Sequence, residues 1–171
     1  MFSFKNIGRV VLLLACLFFT VGYYSPLYLK EASSGLEIDS SPVFIELFFH
    51  NLKVNLYCVV FSPITLGIYA LIYLVLNFFS MGLIVSHLRT EHTWLDALSA
   101  FVIHGVFEVP AMLLSAAVGF YIPSKVVLMI LKKKVVVEEI KKIVYFVAII
   151  IVLTFIAAIV ETFVSPHFIR I

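Results

Sequence analysis

Residues 100–121 read AFVIHGVFEVPAMLLSAAVGFY, an apolar run that holds a histidine, a carboxylate and a proline. As a helix this run is about 33 Å long, enough to cross a hydrocarbon core of about 30 Å. Glu108 follows His104 by one helical turn, so both project from one face. Pro110 has no N–H to donate, which frees the Val106 carbonyl and invites a kink. Ionisable groups at such depth are costly and usually face a protein interior or a water cavity.

The rest of the chain agrees with that setting. Of its 171 residues 63% are hydrophobic and 13% charged, and the mean hydropathy is +1.16. Soluble domains run at about 45–50% apolar and about 25% charged. A soluble fold of this size could not hide so much apolar surface, so the solvent is lipid. An all-α, single-domain membrane bundle follows. Basic stripes interleaved with aromatics are missing outside the apolar runs, which argues against nucleic acid. Cys16 and Cys58 both lie in apolar runs and read as small hydrophobes.

Outward from the central run, the first span is read at residues 7–27. Lys5 and Arg9 precede it in the manner of a signal peptide, but no small-residue cleavage site follows. It is expected to be uncleaved, with Tyr23, Tyr24 and Tyr28 at the interface. Residues 29–51 form an outer segment: a polar stretch at 30–41, then Ser41-Pro42 as a helix start for an interfacial helix through Phe44, Phe48 and Phe49.

Residues 52–85 carry one charge, Lys53, and as one straight helix would run about 51 Å. Ser62-Pro63-Ile64-Thr65-Leu66-Gly67 supplies a break, giving spans at 52–66 and 67–86. Charge supports two crossings. Lys125, Lys132, Lys133, Lys134, Lys141 and Lys142 fall at 124–142, after the central span at 100–122. They share a side with Lys5 and Arg9 only if residues 52–85 cross twice. The last span is 143–164. Five spans result, with the N-terminus cytoplasmic and the C-terminus outside. Trp94 suits the interface of the outer loop at 87–96, and the basic loop suits the cytoplasmic membrane surface or anionic headgroups.

Three roles compete for the polar groups in the spans. His104 and Glu108 could bind a metal from one helix, with a third ligand from Glu161, His50 or Asn77. They could instead line an ion or proton path. The plainest role is a hydrogen-bonded lock between helices, and Asn51, Asn55 and Asn77 fit it as interhelical glue. Gly67 serves a turn, while Gly82, Gly105 and Gly119 mark close helix approaches, as does Ser115-Ala116-Ala117. For soluble-type catalysis there is no G-x-S-x-G, phosphate loop or G-x-G-x-x-G.

Taken together, Asn51-Leu52-Lys53, Gly67, Asn77 and Gly82 precede His104-Gly105-Val106-Phe107-Glu108-Val109-Pro110-Ala111 and Gly119. Ala158-Ile159-Val160-Glu161-Thr162-Phe163-Val164-Ser165-Pro166 closes the series. This set resembles the stage II sporulation protein M family of integral membrane proteins, over about residues 51–166. The resemblance implies a multi-span protein without established enzymatic activity, and no cofactor is expected. Sporulating members are similar to scaffolds that hold peptidoglycan-degrading partners at the septum, and such proteins also occur beside bacteriocin export and immunity components. A non-catalytic scaffold is therefore expected, its partners being membrane lipid and other membrane or envelope proteins. A transport or channel component and an intramembrane metalloenzyme are the alternatives. The small-residue faces also suit a homo-oligomer.

Overall fold

The computed structural model describes residues 3–25, 44–91, 94–132 and 137–164, with the backbone alone at 88, 90–91, 94–104, 128–129, 132 and 164. Every described element is helical: α1 (Phe4–Tyr24), α2 (Phe44–Ile64), α3 (Ile68–Glu91), α4 (Trp94–Lys132) and α5 (Val137–Ile159), the last ending in a π-helical turn at Val160–Val164. Five of these stretches are long and apolar enough to cross a membrane.

Local chemistry sets the ends. Ser3 stands in extended conformation before α1, and its carbonyl accepts from the Asn6 and Ile7 amides at 2.9 and 3.1 Å. The α2–α3 turn falls where Ser62–Gly67 chemistry predicts. Leu66 and Gly67 both take positive φ, 52° and 95°, and the Gly67 amide donates to the Ser62 carbonyl at 2.8 Å. Thr65 Oγ1 accepts from the Tyr69 amide at 3.0 Å and so opens α3.

Several helix boundaries differ from the sequence expectation: α3 runs to Glu91 and α4 starts at Trp94, within the expected outer loop, and α5 starts at Val137, within the expected basic loop. Phe44 does not lie on a separate interfacial helix; α2 runs unbroken from it through the span. Between Phe49 and Leu52 stand only His50 and Asn51, neither a helix breaker, and Phe44 and Phe48 pack edge-on to Phe155 at 5.6 and 5.5 Å. Likewise α4 continues through Pro110 and Pro123 to Lys132, well past the end of the span.

Helix α4 is the centre of the bundle, touching each of the other four helices; α1 packs chiefly on α3, and α2 on α4 and α5. α1 and α3 run parallel and approach closely. A Cβ on Gly22 would meet the Phe79 carbonyl oxygen at 2.1 Å, and one on Gly82 the Phe19 carbonyl oxygen at 2.2 Å. At Gly119 the neighbours are side chains of α2 and α3 instead, with Ser62 Oγ 2.8 Å and Ala70 Cβ 3.1 Å from its would-be Cβ. Only glycine at 22 and 82 allows the α1 and α3 backbones to touch.

Residues 30–41, Tyr28, the side chains of Trp94 and His104, Lys133, Lys134 and Ser165-Pro166 lie outside the described residues.

Candidate functional site: a polar crossing at mid-depth

An amide in an apolar span must find its own partners, since lipid offers none. Asn55, 2% exposed, finds them on three other helices. Its Oδ1 accepts from the Tyr73 hydroxyl of α3 at 2.5 Å and from Ser115 Oγ of α4 at 3.2 Å. Its Nδ2 donates to Thr154 Oγ1 of α5 at 3.1 Å. Ser115 shares its one hydroxyl proton between Asn55 and the nearer Ala111 carbonyl of its own helix, 2.8 Å away, and Thr154 donates to the Ile150 carbonyl at 2.8 Å. One side chain thus ties α2, α3, α4 and α5 together. Asn55 and Ser115 stand near the centres of the apolar stretches Phe44–Ile64 and Gly105–Val127, and Thr154 lies within Val137–Phe163. The crossing lies near the middle of the bundle's depth.

The other sequence-predicted groups surround it. Asn51 is one turn away on the same helix and half-buried. Asn77 is half-buried too, but its Nδ2 donates to the Tyr73 carbonyl of its own helix at 2.7 Å. Glu108 stands two turns from Ser115 on the same face of α4. Glu161 stands two turns from Thr154 toward the same end. Both are half-buried and engage neighbouring groups. Gly105 is buried beside them, while Pro110 faces outward. His50 lies exposed on the far side of α2. The pairing of His104 with Glu108 lies outside the described side chains. Among the described residues, no three His, Cys, Asp or Glu side chains come together to hold a metal.

A second polar cluster closes the lysine-rich end. Lys125, only 7% exposed, donates to Glu139 Oε1 at 2.9 Å, and the Tyr121 hydroxyl donates to Glu139 Oε2. Lys125 also lies over the Tyr121 ring at 4.8 Å. Lys142 sits over the rings of Phe4 and Tyr121 at 5.5 and 5.3 Å, and Phe4 stacks on Phe146. The start of α1, the later part of α4 and the start of α5 meet here, so Lys5, Arg9, Lys125, Lys141 and Lys142 share one end.

Sequence reasoning named Asn55 but missed its partners. Tyr73, Ser115 and Thr154 could have been found as hydroxyls at matching distances from their span ends. The Lys125–Glu139 pair was hidden within a segment read as a surface loop.

A family model described as Stage II sporulation protein M matches residues 11–166. The chain is also 38% identical over 80 residues to an uncharacterized protein of Methanocaldococcus jannaschii, a match covering 46% of this chain and 44% of that relative. The matched part thus spans less than half of the relative's length. No solved structure matches the chain.

Proposed function

The chain belongs to the Stage II sporulation protein M family, and from that premise we propose that it is a non-catalytic multi-pass membrane scaffold, an assembly partner for a cell-envelope complex. What supports this reading is the Asn55 crossing. Its four polar side chains are spent on one another and on backbone carbonyls. Groups used this way fix helix positions; they do not offer an open chain of sites for a moving ion. A rigid bundle is what a scaffold needs, because partners held on its faces and loops then keep a set geometry. The lysine-rich end faces the cytoplasm by the positive-inside rule, which puts the N-terminus in and the C-terminus out.

A transport role is the second reading, and it draws on half-buried Glu108 and Glu161, two turns from the crossing. Glu108→Gln and His104→Asn in purified, reconstituted protein separate the two. Yield, thermal stability, bound metal and ion flux are read together. The scaffold reading expects both variants to lose stability, with no stoichiometric metal and no flux in wild type. Variants that fold normally while a wild-type flux or bound metal disappears would sink it.

A further inference from the structure

The outward face of α2 carries an unusual stripe. Glu46, His50, Lys53 and Tyr57 are spaced four, three and four apart and are all exposed. Lys53 lies about 160° around the helix from Asn55 and about 3 Å from it along the axis. A lysine therefore stands near mid-depth on the lipid side of the bundle, and its ammonium rests 5.6 Å from the Tyr57 ring centroid. A charge there is costly, and such residues pair with another charge or line water.

Among the described residues the carboxylate on this stripe is Glu46, two turns or about 10 Å from Lys53 along the axis and away from mid-depth. Among the described residues, no Asp or Glu of α2, α3, α4 or α5 lies within six positions of the Asn55 level, and α1 has none. A second copy docked through the same face would set Lys53 against Lys53 at equal depth, a like-charge contact. We propose that this face of α2 is an intramembrane docking surface for a transmembrane helix of a different protein, one carrying an Asp or Glu near the bilayer midplane. Lys53 is its charged anchor. Tyr57 and His50 flank the contact as hydrogen-bonding groups. The proposal deepens the scaffold reading, since it names the chemistry of a partner that reading requires.

The test uses full-length protein carrying a fluorescent donor in phosphatidylcholine vesicles. The probes are acceptor-labelled poly-leucine transmembrane helices with Asp, Asn or Leu at their centre. Energy transfer should report association of the Asp helix at least about tenfold tighter than the Leu helix. That preference should vanish in Lys53→Leu. It should return when Lys53→Glu is paired with a helix bearing a central Lys. Lys53 is exposed on the outward face of α2, and circular dichroism checks that neither substitution disturbs folding.

Equal binding of the Asp and Leu helices overturns the proposal, as does a preference that survives Lys53→Leu. So does disulfide capture between two copies of Val60→Cys, which makes a second copy the occupant. Labelling of Lys53→Cys by a water-soluble maleimide in the absence of a partner helix also overturns it, because the stripe then lines water. Failure of the scaffold reading is separable. If the vesicles pass ions while the Asp helix still selects Lys53, the scaffold falls and the docking surface stands.

Discussion

Asn55→Leu is the substitution that weighs most on this bundle. It deletes three side-chain hydrogen bonds but leaves their partners unequally placed. Ser115 and Thr154 retain bonds to the Ala111 and Ile150 carbonyls, so each loses little. Tyr73 keeps no such bond and is 4% exposed, so its hydroxyl is stranded in an apolar interior. Interhelical hydrogen bonds in membranes average about 0.6 kcal/mol, with a maximum of about 1.7. A stranded buried polar group costs about 1–3 kcal/mol. The total expected for Asn55→Leu is about 2–4 kcal/mol. Tyr73→Phe, which removes one bond and strands only part of the amide, should cost about 1 kcal/mol. The double variant removes both ends of that bond. It should be more stable than the sum of the singles by about 1 kcal/mol. Unfolding in mixed micelles with rising SDS, followed by helical circular dichroism, reads all three. If Asn55→Leu stays within about 0.5 kcal/mol of wild type, or the two changes are strictly additive, the crossing is not what locks the helices.

Other substitutions test the remaining contacts. Gly22→Ala drives a methyl into the Phe79 carbonyl and should destabilise by about 2 kcal/mol or more. Gly8→Ala, in the same helix but in open space, should be neutral or stabilising by up to about 1 kcal/mol in the same titration. Glu139→Gln strands buried Lys125 and should lower thermal stability clearly, whereas Lys125→Met with Glu139→Gln should recover most of the loss. Leu66→Gly relieves a leucine held at φ 52° and should stabilise the α2–α3 turn by about 1 kcal/mol, seen as a higher melting temperature.

The sequence exposes the large features because each has a local cause. Apolar length marks the spans, Ser62-Pro63 and Gly67 mark the turn, and the lysine asymmetry decides between one crossing and two for residues 52–85. Asn55 was legible as glue, since an amide in hydrocarbon has no other use. Its partners were not, because depth matching depends on how four helices tilt and shift against one another. The start of α2 was misplaced for a different reason. Aromatic residues such as Phe44 and Phe48 suit an interface and a helix–helix contact equally well, and only the position of Phe155 decides. Lys53 stood out in the sequence only as the one charge of residues 52–85. Its meaning comes from the angle it makes with Asn55, which matters only once Asn55 is known to face inward.

The parallel glycine contact between α1 and α3 also bears on the order of events during synthesis. Gly22 and Phe79 are 57 positions apart (79 − 22). At roughly 5–20 residues per second, α1 leaves the ribosome on the order of 3–11 s before its partner surface exists. α2, the next helix made, packs chiefly on α4 and α5 and does not fill that role. The groove around Gly22 therefore stays unmatched through several seconds of elongation. A nascent chain halted short of Phe79 would present it permanently to whatever insertion factor or neighbouring helix stands by.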